Sequence, residues 1–493
     1  MAVLSDNAWG AGGGSLVLAL YNGGGPGVMY GLIAAVLFYA TIAASLAELA
    51  SALPSSANVY HWSSVTAGKY GKVVSFYAGW WNFLAWIFGT SSTSLFAAET
   101  IIALYSTYHP EYALQRWHIF ICYVVVTWIN LSIVLFGQRF LARTVTAMGV
   151  LLMLLCLITT LVLAIMPSQT GQGYASNSFV WTDFQNLTGW SSNGFVFLMG
   201  ILNGAYAIGT PDGVCHLCEE IPNPRRNIPY GILAQMTIGA ISTFVFYIAA
   251  LYAVTDLNAV FESTIVGLPL AAMFQQAMGT SGGTFGLLFL FLLDQFVNLL
   301  GAYITAGRML WTLARDDATP FSPWLRQVSP QWRNPFHAQL VCGVLVTIVG
   351  AIYVGNATAF TAFVGSFAIF TCASYCAAIL PHILSGRKNL RPGPFWMPDS
   401  IAYPVSGTAC AYIIVFSVIY MFPYVNPVDA ETMNYAVAMT GGCTILLTLW
   451  YLYKRTRGYE GPNVVLDARD DILKGVVGLT AEQEKALRMR GIN

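Results

Sequence analysis

The sequence predicts an all-α polytopic membrane protein of about twelve transmembrane helices, in a five-plus-five inverted repeat with broken first and sixth helices. Three observations predict it. Hydrophobic residues make up 56% of the 493 and charged residues 9%, against roughly 45–50% and about 25% in soluble domains. Polar groups are too few to coat a water-facing surface. Apolar runs near the ~20 residues a bilayer requires recur at roughly 27–49, 73–98, 118–137, 144–166, 193–214, 228–253, 283–307, 337–354, 358–381, 403–424 and 434–453, after a shorter run from Ser15 to Tyr21. Two of these segments, five helices apart, are interrupted by glycine, proline and carboxylate residues.

The expected organisation is a transmembrane domain over 1–457 and a tail over 458–493. The two repeats fall at roughly 1–166 and 193–381, and helices 11 and 12 at roughly 403–453. A short amphipathic helix is expected from Thr480 to Arg490.

Orientation follows from the basic residues. With both termini cytosolic, Lys69, Lys72, Arg139, Arg143, Arg225, Arg226, Arg308, Arg315, Arg326, Arg333, Arg387, Lys388 and Arg391 lie in or beside inner loops, and only Arg116 lies outside. This is the bias of the positive-inside rule. The sequon Asn186-Leu187-Thr188 falls in an outer loop, as a glycosylated asparagine requires. Nine scattered cysteines make no disulfide framework. Met1 is followed almost at once by Asp6 and a glycine run, without the basic start of a cleavable signal.

The first interruption is Asp6-Asn7-Ala8-Trp9-Gly10-Ala11-Gly12-Gly13-Gly14, and the second is Gly209-Thr210-Pro211-Asp212-Gly213. Backbone that leaves helical form at membrane depth strands polar groups, at several kcal/mol each unless protein or a wet cavity satisfies them. Close helix packing is the structural alternative for Gly12 to Gly14. It explains Pro211 and Asp212 less well.

The run FLMGILNGAYAIGTPDGVCHLCEEIPNPRRNIPYGI (197–232) resembles the sixth-helix region of the amino acid/polyamine/organocation permeases, in particular the fungal branch of GABA, choline and amino-acid permeases. DNAWG (6–10), NGGGPGVMYG (22–31), PSSANVYHW (54–62) and GRMLWTLARDDATPFS (307–322) resemble further elements of that family, in the same order. The resemblance implies a LeuT-like carrier fold. It also brings out three departures. The chain begins only six residues ahead of Asn7, so helix 1 is expected to lack its inner half, through a late start codon or in a truncated carrier. Ala57-Asn58 replaces a glycine pair, and Asp294 stands mid-helix where the family shows uncharged residues.

A carrier site for an amine must meet an ammonium and, for an amino acid, a carboxylate. Half-helix N-termini suit the carboxylate, and glycine allows close backbone approach. The expected substrate-binding set is Asn7, Trp9, Gly10, Gly12, Gly13, Tyr206, Gly209, Thr210, Asp212 and Gly213. Trp9 and Tyr206 offer aromatic faces to a cation, with packing as the alternative role. Carbonyls from Ala207 to Gly209 are candidates for the ammonium. Intramembrane ionisable residues are functional by default, so Asp294 and Asp212 are the candidates for charge binding or proton coupling, with a hydrogen-bonded structural carboxyl as the bland reading of Asp294. Asp212 is also placed as an N-cap of the second half-helix. Glu219, Glu220, Arg225 and Arg226 form a candidate inner gate or, equally, a solvated helix end.

Cys215, His216 and Cys218 have a metal-like composition, but on an α-helix His216 points about 100° away from the cysteines, so no metal or cofactor is expected. No convergent catalytic set indicates an enzyme. The expected function is a secondary active permease, moving a small amine-bearing solute such as GABA by alternating access with a proton as coupling ion. A choline or polyamine transporter and a transport-impaired carrier are the alternatives. The bilayer is the expected surrounding, with no nucleic-acid partner, and the plasma membrane ranks ahead of the vacuolar one.

Overall fold

The computed structural model describes residues 7–261, 263, 268–355, 358–430 and 432–462. The expected tail helix and Asp6 lie outside them, and so do the side chains of Arg139, Arg143, Glu219 and Glu220. The described chain is almost wholly helical. Ten helices are long and apolar enough to cross a membrane, and the two interrupted segments stand beside them, so the chain is an integral multi-pass membrane protein.

The first segment consists of α1 (Ala8–Gly14) and α2 (Leu16–Tyr21). α3 (Gly24–Ala52) follows, then a short α4 (Val59–Thr66) and α5 (Gly71–Ser106). α6 (Arg116–Gln169) supplies two spans, Arg116–Gly137 and Thr144–Gln169. After α7 (Asn177–Trp181), the second interrupted segment comprises α8 (Asn193–Ala207) and a 3₁₀ helix, Gly213–Glu220. α9 (Pro224–Tyr252), α10 (Leu257–Phe261), α11 (Pro269–Met278), α12 (Ser281–Arg315), α13 (Ser322–Leu325), α14 (Phe336–Gly355), α15 (Ala359–Leu384), α16 (Asp399–Ile419) and α17 (Ala436–Thr456) complete the chain. The strand pairing is one two-residue antiparallel ladder, Asn22–Gly23 against Gln185–Asn186.

Burial sorts the spans. In their most apolar stretches α5 is 83% buried and α15 78%, whereas α17 is 17% buried. The first two therefore form the interior and the last lies at the periphery. α5 can be central although it carries the polar run Thr90 to Ser94, because the hydroxyls of Thr90 to Thr93 bond back within the helix: Thr90 to the Trp86 carbonyl (2.7 Å), Ser91 to Ile87 (2.8 Å), and Ser92 and Thr93 to Gly89 (2.9 and 3.0 Å). On α6, Ile121, Val125, Ile129 and Ile133 recur every fourth residue and are all exposed. That stripe suits lipid.

Contacts gather the basic loops on one face. Arg225 donates to the Ser51 and Ala52 carbonyls at the end of α3 (3.1 and 3.3 Å). Arg387 pairs with Glu48 (2.8 Å) and Lys454 with Asp317 (2.7 Å). Arg116 sits at the opposite end, donating to the Gly355 carbonyl at 3.2 Å.

Candidate functional site

The glycine run of the first segment does not open the backbone. Gly10 to Gly14 lie inside α1, and the helix is interrupted at Ser15, whose amide still reaches the Ala11 carbonyl at 3.1 Å. These glycines serve close packing against named neighbours. A Cβ built on Gly10 would stand 2.1 Å from Asp294 Oδ2, one on Gly12 2.3 Å from the Tyr247 hydroxyl, and one on Gly14 2.8 Å from the Phe96 ring. Gly13 is looser, with Phe246 at 3.2 Å.

Asn7 stands at the N-cap of α1, but its side chain does not cap. Asn7 Nδ2 donates to Asp294 Oδ2 on α12 at 2.5 Å, and Gln295 Nε2 donates to the same oxygen at 3.2 Å. Asp294 is fully buried, and its Oδ1 has no hydrogen-bond partner among the described residues. Trp9 Nε1 is buried and approaches the same carboxyl without a well-formed hydrogen bond, and Gln295 Oε1 is buried without a partner among the described residues. The Trp9 ring packs edge-on against Phe246 (5.2 Å) and Phe291 (6.0 Å).

The second interruption is a true break. α8 ends at Ala207, Gly209 and Thr210 are irregular, and the chain resumes as the 3₁₀ helix from Gly213. Its carbonyls are engaged by side chains: Thr210 accepts from Gln235 Nε2 at 2.5 Å and Gly209 from the Tyr375 hydroxyl at 3.4 Å. The Gly213 amide closes a turn onto the Thr210 carbonyl at 3.0 Å.

Asp212 corrects an expectation. Its carboxylate makes no cap bond to the 3₁₀ helix. Oδ2 instead accepts from Asn58 Nδ2 (2.7 Å), Asn82 Nδ2 (2.9 Å) and His216 Nε2 (3.3 Å), and Oδ1 accepts from the Tyr375 hydroxyl. The donors come from the α4 entry, α5, the 3₁₀ helix and α15, so this buried carboxylate ties four elements to the break. Asn58 explains the lost glycine pair. Its φ is 52° and ψ −129°, a conformation that glycine adopts freely, and its side chain supplies the Asp212 bond.

The two interrupted segments meet directly. Asn203 on α8 donates to the Gly12 carbonyl (3.0 Å) and to Ser15 Oγ (2.9 Å), while its own carbonyl accepts from the Tyr247 hydroxyl (2.7 Å). Tyr206 shares a 2.5 Å hydrogen bond with Ser92 and packs edge-on against Phe367 at 5.1 Å. The structure thus brings Asn7, Trp9, Gly10, Gly12 and Asp294 into one cluster, joined to Tyr206 by α8. Asp212, Thr210 and Gly209 form a second.

Of the gate residues, Arg225 holds the end of α3, as above, and Arg226 is exposed. His216 is engaged by Asp212 and by the Ser56 carbonyl (3.2 Å). The segment holding Cys215 and Cys218 is 3₁₀ rather than α-helical. Asn186 directs Nδ2 to the Trp190 carbonyl (2.7 Å) and Asn193 Oδ1 (3.1 Å), and Thr188 is buried.

Sequence reasoning missed Asn58, Asn82, Ser92, Asn203, Gln235 and Tyr375. Single amides and hydroxyls in apolar helices give no periodic signal. It also missed two carboxyls in spans. Glu99 on α5 is 6% exposed. Glu48 on α3 accepts from Arg387, from His382 Nε2 at 3.1 Å and from the Met397 amide at 3.0 Å.

A sequence profile described as "Amino acid permease" matches residues 2–443. A choline transporter of Saccharomyces cerevisiae is 29% identical over 456 residues, covering 92% of this chain and 80% of that protein. An uncharacterized amino-acid permease of Schizosaccharomyces pombe is 27% identical over 472 residues, covering 94% and 82%. An amino-acid permease of Arabidopsis thaliana is 27% identical over 455 residues, covering 89% and 87%.

Proposed function

The chain belongs to the amino acid permease family and is a transporter rather than an enzyme, and from that premise we propose that it is a secondary carrier which moves a small amine-bearing solute by alternating access, coupled to protons through Asp294. The observation that carries this reading is the Asn7–Asp294 bond. It joins the start of the first interrupted segment to α12 through a buried carboxylate that keeps one oxygen unpartnered. Proton gain and loss at that carboxylate would make and break the contact between two elements that alternating access has to move.

The proposed site lies between the two breaks, walled by Trp9, Tyr206, Phe246 and Phe367. Aromatic faces attract an ammonium head, which amino acids and organocations share. An amino acid such as GABA is the first reading. The named likeness to a choline transporter supports choline as the second. The two interrupted segments are read as the crossing pair of an inverted repeat with halves over 1–166 and 193–381, which puts a central site between them. The face bearing the basic loops is read as cytosolic, and the plasma membrane is the proposed location.

Uptake of labelled GABA and choline at acidic and neutral external pH, in cells lacking their own permeases, tests this. Faster uptake at acidic pH that is lost in Asp294→Asn is expected. Uptake indifferent to pH in the native chain would overturn the coupling, and no uptake of any amine would overturn the carrier reading.

A further inference from the structure

A groove of about 990 Å³ lies between α3 and α9 on the face that carries the basic loops. Its floor on α3 is a stripe from Val36 through Ala40, Ala43 and Ala44 to Ala47, and its other wall is the face of α9 that includes Leu233 and Ile241. Leu233 is 62% exposed and Ile241 60%, so the groove opens outward toward lipid. Arg225 and Arg226 line its basic end. Arg225 is anchored on the end of α3. Among the described residues, exposed Arg226 has no hydrogen-bond or ion-pair partner.

We propose that this groove is a binding site for an anionic phospholipid, with the phosphate on Arg226 and one acyl chain along the alanine stripe. Three features select that occupant. The groove runs along two membrane-spanning helices, so what fills it comes from the bilayer. Val36 to Ala47 rises about 16 Å at 1.5 Å per residue, which matches one leaflet of a ~30 Å hydrocarbon core. The cationic end sits where the headgroup of that leaflet would lie, and basic pockets between spanning helices on the cytoplasmic side recognise acidic headgroups.

The position has a consequence for the second break. α9 also carries Gln235, which holds the Thr210 carbonyl at 2.5 Å, and Gly231, where a Cβ would lie 3.0 Å from Val214. A lipid seated in the groove therefore bears on a helix bonded to the interrupted segment. Lipid binding itself does not depend on the carrier reading.

The test uses the full chain in vesicles of phosphatidylcholine with and without phosphatidylglycerol, read by native mass spectrometry after detergent extraction. Preferential retention of phosphatidylglycerol is expected, falling several-fold in Arg226→Gln and in Ala44→Trp, which fills the groove floor. Both variants should keep the native melting temperature in phosphatidylcholine. Equal retention of the two lipids, or retention unchanged in Arg226→Gln, would overturn the proposal. So would displacement by inorganic phosphate alone, or a protein dimer that Ala44→Trp dissolves, which would assign the groove to a free anion or a second copy.

Discussion

Asn7 and Asp294, 287 positions apart in sequence, share a 2.5 Å hydrogen bond. It fixes the start of the first interrupted segment to the middle of α12. The geometry leaves no room for a side chain between them, since a Cβ on Gly10 would meet both Asp294 Oδ2 and, at 2.6 Å, Asn7 Nδ2.

Asp294→Asn should separate exchange from accumulation. An amide keeps the size and a hydrogen bond to Asn7 but carries no exchangeable charge. The variant is expected to retain counterflow of labelled substrate between two filled compartments and to lose concentrative uptake driven by a pH gradient. Retained concentrative uptake would remove Asp294 from the coupling step.

The glycines of α1 should rank by distance. Gly10→Ala and Gly12→Ala meet atoms at 2.1 and 2.3 Å, whereas Gly13→Ala meets Phe246 at 3.2 Å. Overpacking costs about 1–3 kcal/mol, so the first two should lower uptake sharply and the third mildly. Equal losses across the three would show that backbone access, not packing, governs the run.

Asp212→Asn should act on stability rather than on coupling. The substitution replaces one acceptor oxygen with an amide donor that faces the donors at Asn58, Asn82, His216 and Tyr375. A hydrogen bond to a charged group contributes about 1.5–3 kcal/mol, so a loss of at least about 1.5 kcal/mol is expected, read as a lower melting temperature in detergent. The pH dependence of any remaining uptake should match that of the native chain. A changed pH profile with native stability would instead place Asp212 in the transport chemistry.

Asn58 offers a test with opposing contributions. Backbone at φ 52° and ψ −129° costs a non-glycine residue about 1–3 kcal/mol, and its bond to Asp212 returns about 1.5–3 kcal/mol. Asn58→Gly should therefore be near neutral in melting temperature, because strain and bond disappear together. Asn58→Ala keeps the strain and loses the bond, and should be clearly destabilised. If both variants melt alike, the backbone strain at this position contributes little.

The all-α multi-pass class was legible because apolar runs of spanning length leave few alternatives. Asp294 was legible as a charge in an apolar helix, and the second break as a cluster of residues that no packed helix needs. The sequence could not distinguish glycines that open a backbone from glycines that admit a neighbour. That distinction lies in what approaches them: Asp294, Tyr247 and Phe96 all come from other helices.

Sequence by itself determined that this chain crosses the membrane many times, where two segments are interrupted, and that Asp212 and Asp294 stand at membrane depth. Tertiary structure alone decided what those carboxyls do. Asp212 and Asp294 look alike in sequence, yet one meets four donors and the other keeps an oxygen unpartnered. The physical reason is that composition and periodicity report how a residue meets its solvent. A buried polar atom is satisfied by partners that only the crossing of distant helices delivers.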